Sequence, residues 1–166
     1  MRVLLLAGIL GVALVLQATI FDFVRFLGVK PDLVLLVVIY YGFIHGPREG
    51  AYLGFLGGLL TDFLTGHYIG LNALSKMAAG YVVGIGKTSL YKESIIISTT
   101  VTFVGSIVGQ TVYYLILLFI GIKTAPMSAI FQVIIPVAFY NAILTPIFYG
   151  RFYHSNTKGL LKMPEI

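Results

Sequence analysis

Apolar residues along this chain occur in long uninterrupted runs, and polar residues are gathered in the short segments between them. The first run, Val3 to Phe21, contains 19 uncharged residues and ends at Asp22. A transmembrane helix needs about 20 mostly apolar residues to cross a hydrocarbon core of about 30 Å. The pattern therefore predicts helices that cross a membrane.

Glycine, proline and charged residues divide the chain into six such runs. Gly46-Pro47 ends the second run, and Pro47 suits the first turn of a new helix. The predicted transmembrane helices are 3–21, 31–46, 48–66, 69–86, 94–121 and 125–149, the last bent at Pro136, and they form one domain over residues 1–150. Residues 151–166 are predicted to form a basic cytoplasmic tail. Five helices remain an alternative, because the second to fourth runs are short.

Composition supports the membrane assignment. Hydrophobic residues make up 58% of the chain and charged residues 10%, against about 25% charged in soluble domains. This composition excludes a soluble enzyme, a nucleic-acid-binding domain and a disordered tail. The absence of cysteine excludes disulfides, thiolate metal sites and cysteine nucleophiles. The fold class predicted is an all-α integral membrane protein.

The chain has a net charge of +5, and the positions of its lysines and arginines give the predicted orientation. Lysine and arginine concentrate in cytoplasmic segments of membrane proteins. With both termini in the cytoplasm, the cytoplasmic segments contain Arg2, Arg48, Lys87, Lys92, Arg151, Lys158 and Lys162, and the external segments contain Arg25, Lys30 and Lys123. The basic inner face favours contact with anionic lipids. The tail from Arg151 to Lys162 then lies along the membrane or contacts a cytoplasmic partner, unless it is a solvated terminus.

Two acidic or basic residues, Asp62 and Lys76, are predicted to lie at membrane depth. Folding the third and fourth helices into a hairpin about Tyr68 brings these residues to within about 3 Å along the axis, at 1.5 Å per residue. Such a pair is a proton or substrate site, or a structural ion pair that holds the hairpin. The sequence favours the structural interpretation, because no other titratable group accompanies the pair.

Glycines recur at every fourth residue from the end of the second predicted helix into the third. We call this set the glycine ladder: Gly46, Gly50, Gly54 and Gly58. Such spacing gives a flat helix face that another backbone can approach closely. Two uses are open: packing inside the bundle, and docking of a partner helix. Other predicted helices have glycine pairs of their own, which leaves this face available to a partner.

Amide side chains are the remaining polar candidates within the helices: Gln110, Gln132 and Asn141. Groups of this kind usually form hydrogen bonds between helices, worth about 0.6 kcal/mol each. A polar pocket for a small solute is the alternative.

Enzyme signatures are absent from the sequence. There is no Gly-x-Ser-x-Gly, His-Glu-x-x-His or Walker motif. The three histidines, His45, His67 and His154, fall in separate segments on both predicted sides of the membrane. We therefore predict no catalytic residues, no cofactor and no metal site.

Four segments resemble a known family in their order along the chain. They are Lys-Pro-Asp-Leu-Val-Leu-Leu-Val-Val at 30–38, Gly-Pro-Arg-Glu-Gly-Ala-Tyr-Leu-Gly-Phe-Leu-Gly-Gly-Leu-Leu-Thr-Asp at 46–62, Gly-Leu-Asn-Ala-Leu at 70–74 and Tyr-Asn-Ala-Ile-Leu-Thr-Pro at 140–146. Together they resemble the rod shape-determining protein MreD family.

The resemblance implies a multi-pass protein of the bacterial inner membrane, a non-enzymatic scaffold of the cell-elongation complex that supports lateral peptidoglycan synthesis. The implied partners are an MreC-like membrane protein and, indirectly, MreB, RodA and a class B penicillin-binding protein. It also implies a six-helix bundle similar to the substrate-binding subunits of energy-coupling-factor transporters. That likeness motivates the alternative function, a subunit that binds a vitamin-type solute.

Overall fold

The structure, a computed structural model, describes residues 2–23, 28–66, 68–88, 94–122 and 125–157. Every regular element in these ranges is helical. The helices are α1 (Arg2–Phe23), α2 (Leu33–His45), α3 (Pro47–Thr65), α4 (Leu71–Ile85), α5 (Ile95–Phe119), α6 (Pro126–Ala129) and α7 (Ile135–Thr157), with a 3₁₀ turn at Gly86–Thr88 and a π-helical turn at Ile130–Ile134. The all-α prediction is confirmed. Because α6, the π turn and α7 are continuous, the described residues form six helical segments.

The last helical segment differs from its predicted form in two ways. Its irregular point is the π turn before Pro136, where the Ile135 N–H donates to the Ile130 carbonyl. A wider turn suits this place, because Pro136 has no N–H with which to continue an α-helical pattern. Helix α7 also continues through Thr157, so residues 151–157 of the predicted tail are helical. Residues 158–166 lie outside the described residues.

Among the residues that the structure describes, two helices are long and apolar enough to cross a membrane by length and composition, Ile95–Phe119 and Ile130–Ser155. Two more, Leu4–Ile20 and Leu33–His45, are apolar but shorter. The 13 residues of α2 extend only about 20 Å at 1.5 Å per residue. This central helix is therefore shorter than the hydrocarbon core is thick.

Helix α2 occupies the centre of the bundle. It packs against α1, α3, α4, α5 and α7, and 11 of its 13 residues are buried. A helix that is hydrophobic on all sides belongs in such a position. By contrast, α1 packs mainly against α2, so the sides of α1 face grooves rather than neighbouring helices.

The glycine ladder lies at the interface between α3 and α4. A Cβ atom at Gly50, Gly54 or Gly58 would collide with backbone carbonyls of α4, those of Gly80, Lys76 and Asn72. Gly46 forms the turn between α2 and α3 at φ 112°, and its open side faces Lys87. Of the two uses that the sequence leaves open, packing inside the bundle is the one seen in the structure, because α4 lies against this face.

Adding one methyl group to the ladder tests this packing. We expect Gly54→Ala to lower the free energy of unfolding by about 3 kcal/mol, because the obstacle is a backbone that cannot turn aside. Gly8→Ala in α1 is the control, since no atom lies within 4 Å of the added Cβ. Denaturation of both variants in detergent measures the difference. Equal stability of the two variants would contradict the assigned interface.

Candidate functional site

The first turn of α2 begins inside the bundle, where side chains satisfy its backbone N–H groups. Asp32 caps the helix, and its Oδ1 accepts from the Leu35 N–H at 2.9 Å. Gln17 of α1 accepts from the Leu33 N–H at 3.0 Å. The first N–H groups of a helix have no partner within it, and in lipid every such group needs a partner in the protein. The side chain of Gln17 therefore joins α1 to α2.

Asp32 also forms a buried ion pair within the bundle. Its Oδ2 accepts from Lys76 Nζ at 2.6 Å, with Lys76 only 2% and Asp32 8% exposed. The same ammonium donates to Asn72 Oδ1 at 2.9 Å. The predicted pairing of Lys76 with Asp62 is therefore wrong. The Lys76 side chain extends from α4 to the start of α2, where Asp32 is buried.

Asp62, at the end of α3, binds the N-terminus of α4. Its two oxygens accept from the N–H groups of Gly70 at 2.8 Å, Asn72 at 3.1 Å and Ala73 at 3.2 Å. The Asn72 side-chain amide donates to the same carboxylate at 2.9 Å. A negative charge is stabilised at this end of a helix by the partial positive charge of the helix dipole. Asp62 thus needs no ammonium partner.

Asn72 links the two carboxylates indirectly. Its amide nitrogen donates to Asp62 and its amide oxygen accepts from Lys76. The chain Asp32–Lys76–Asn72–Asp62 therefore runs without a break from α2 through α4 to α3. Asp62 and Lys76 are therefore connected only through Asn72, and do not form the direct pair that the hairpin predicts.

Asn141 of α7 extends this network to the last two long helices. Its Oδ1 accepts from the Asp32 N–H at 3.1 Å, and its Nδ2 donates to Ser106 Oγ of α5 at 3.0 Å. Asn141 is fully buried. Its amide therefore depends on these hydrogen bonds, because lipid tails offer no hydrogen-bond partners. We call the whole set the polar network: Gln17, Asp32, Asp62, Asn72, Lys76, Ser106 and Asn141.

Sequence reasoning identified Asp62, Lys76 and Asn141 but missed Asp32, which connects most of the network. The signal was present, because an aspartate directly before an apolar run is a typical N-cap. Asp32 was placed at the start of the second predicted helix, 31–46, and was not considered as a partner for Lys76. Within the described residues, no group of three His, Cys, Asp or Glu side chains is arranged to hold a metal ion. The hydrogen bonds and the ion pair of the network connect side chains of different helices, as expected of a structural role.

Gln110 and Gln132 lie apart from the polar network. They line a cavity of about 230 Å³ between α5 and the π turn, together with Tyr113 and Ser128. The structure thus brings Gln110 and Gln132 together in a small pocket. In the predicted orientation, this pocket lies toward the external side of the membrane.

Two apolar grooves flank α1, one on each side of its contact with α2. The first, the α1–α3 groove, has a volume of about 630 Å³ and is lined by residues that include Leu6, Leu10, Tyr41, Glu49, Tyr52, Leu56, Leu60 and Phe63. The second, the α1–α7 groove, has a volume of about 310 Å³ and is lined by residues that include Val12, Ala13, Leu36, Phe148, Arg151 and Ser155. These grooves are the open surfaces that replace the glycine ladder as candidate docking sites.

A comparison with protein families finds a match over most of the chain. The family model described as rod shape-determining protein MreD matches residues 1–154. No curated protein and no solved structure matches the chain.

A double-mutant cycle tests which carboxylate Lys76 pairs with. We expect Lys76→Met and Asp32→Asn each to cost about 3 to 5 kcal/mol, because each leaves a buried charge without its partner. The double variant should cost less than the sum of the two single variants, by a coupling of about 2 kcal/mol in unfolding experiments. Asp62→Asn combined with Lys76→Met is the control, with a smaller coupling through Asn72. A larger coupling for Asp62 than for Asp32 would overturn the assignment.

Proposed function

The chain belongs to the MreD family of rod shape-determining membrane proteins, and from that premise we propose that it is a non-enzymatic scaffold of the bacterial cell-elongation complex. It holds the transmembrane helix of an MreC-like partner in the inner membrane. Through that partner it connects indirectly to MreB, RodA and a class B penicillin-binding protein, and so supports lateral peptidoglycan synthesis. The family assignment supports the role in cell shape, and the α1–α3 groove supports the mode of binding.

The proposed orientation has six membrane crossings with both termini in the cytoplasm. Lysine and arginine positions support it, since cytoplasmic segments are rich in these residues. On this orientation Lys87 lies at the cytoplasmic end of α2, where its Nζ donates to the His45 carbonyl at 2.7 Å. Asp62 and Asn72 then lie toward the external side. The fold on this proposal is a bundle of the kind found in energy-coupling-factor substrate-binding subunits.

The single observation that carries the docking proposal is the size and shape of the α1–α3 groove. Along α3 its wall runs from Glu49 to Phe63, a length of about 21 Å at 1.5 Å per residue. This length accommodates about four turns of a partner helix. The groove's volume is about twice that of the α1–α7 groove.

Charge at one end of the groove favours a partner inserted with its basic end in the cytoplasm. Glu49, in the first turn of α3, lies at the cytoplasmic end in the proposed orientation. The positive-inside rule places lysine or arginine at the cytoplasmic end of a transmembrane helix. Glu49 is complementary to such a residue, and the rest of the wall is mainly leucine and aromatic side chains suited to packing.

A second candidate function, binding of a vitamin-type solute for transport, is favoured by the pocket at Gln110 and Gln132. Two amides together with Tyr113 and Ser128 offer hydrogen bonds to a polar ligand. Its volume of about 230 Å³ is below the usual range of about 300 to 1,000 Å³ for ligand pockets. This is why we place solute binding second.

Filling the α1–α3 groove tests the scaffold function. We expect Leu56→Trp to reduce co-purification of the MreC-like partner at least tenfold, because an indole in the wall blocks close packing of a helix. The matched control is Leu64→Trp on the same helix, at 69% exposure against 55% for Leu56, and outside the groove. Rod shape in cells that carry each variant is the second readout. Undiminished partner recovery with Leu56→Trp would contradict docking in this groove.

Thermal-shift measurements on the purified protein test the second candidate. On the scaffold proposal, vitamin-type solutes should leave the unfolding temperature unchanged. A specific, saturable stabilisation that is lost in Gln132→Leu and kept in Gln17→Leu would instead favour solute binding.

A further inference from the structure

We propose that the α1–α7 groove binds an anionic phospholipid, with an acyl chain along its apolar wall and the phosphate on Arg151 and Ser155. The inference uses a different surface from the partner-binding groove and does not depend on it. Only the assignment of the lipid to the cytoplasmic leaflet rests on the proposed orientation.

The wall of this groove suits a hydrocarbon chain. Three helices form it, with Val12 and Ala13 on α1, Leu36 on α2, and Phe148 on α7. The cavity has a volume of about 310 Å³. Because α1 packs mainly against α2, the groove is open to the side that a bilayer would cover. A lipid tail packed closely against such an apolar surface is stabilised by many van der Waals contacts.

The polar end of the groove suits a phosphate. Arg151 and Ser155 both line it and lie four residues apart on α7, so they share one face of the helix. Arg151 is exposed and forms no ion pair or side-chain hydrogen bond with any residue in the described part of the chain. A guanidinium binds phosphate oxygens through two parallel hydrogen bonds. The groove thus pairs an apolar wall with an anion-binding end, which matches an anionic lipid.

Geometry and charge favour a lipid over the other possible occupants. The α7 wall runs from Phe148 to Ser155, about 10 Å at 1.5 Å per residue, which is half the length available in the α1–α3 groove. A partner helix could contact this wall over fewer than two full turns. A second copy of the chain related by a two-fold axis at this groove would bring two Arg151 cations together, and like charges repel.

Native mass spectrometry in detergent tests the proposal with a mixture of phosphatidylglycerol and phosphatidylcholine that have identical acyl chains. We expect the wild-type protein to retain phosphatidylglycerol in preference. Arg151→Gln should lower that preference about fivefold. This factor corresponds to the attraction of about 1 kcal/mol between one basic residue and an anionic lipid surface. The control is Arg48→Gln, another exposed arginine that does not line this groove, and it should leave the preference unchanged.

A second pair of variants tests the apolar wall independently of charge. Val12→Trp should reduce retention of both lipids, because Val12 lines the groove. Val15→Trp should leave retention unchanged, since Val15 is equally exposed on α1, at 61% against 59%, and lies outside the groove.

Three results would overturn the proposal. They are equal retention of the two lipids by the wild-type protein, an unchanged preference in Arg151→Gln, and a dimer of the chain that is lost in Val12→Trp. The last result would assign the groove to a second copy.

Discussion

The N-terminus of α2 must have its backbone N–H groups satisfied inside the bundle, and most of the polar architecture follows from this constraint. An unsatisfied N–H in an apolar environment costs several kcal/mol. Asp32 supplies one acceptor from its own helix and Gln17 supplies another from α1. The Asp32 carboxylate then needs a cation, and Lys76 of α4 provides it. One buried helix end therefore determines how two further helices meet α2.

The glycine ladder and the polar network depend on each other. Contact between the backbones of α3 and α4 brings the Asp62 carboxylate onto the first N–H groups of α4. A side chain at Gly58 would push the helices apart near Asn72 and lengthen these hydrogen bonds. Asn72 would then also lose its position between Asp62 and Lys76. Apolar packing sets the distance between the helices, and the charges set their register.

The sequence predicts the helices of this protein well, because long apolar runs have few alternatives in a membrane. It predicts contacts less well. The spacing of Gly50, Gly54 and Gly58 describes a flat face but is the same for an internal and an external neighbour, so only the fold assigns it to α4. The prediction paired Lys76 with the nearest carboxylate in a hairpin. In the structure Asp32 lies next to Lys76, because α2 begins deeper in the bundle than the adjacent end of α4. Such a depth difference is not encoded in any local pattern.

The most direct test of this account is hydrogen exchange at the start of α2, measured on the protein in lipid nanodiscs. If the polar network caps this helix end, the amides of Leu33 and Leu35 should exchange as slowly as that of Ile39 at the buried centre of α2. Exchange of the first two at the rate of a solvent-exposed helix end, with Ile39 still protected, would contradict the account. The α2 N-terminus would then be open to water, and the ion pair of Asp32 with Lys76 would not organise the bundle.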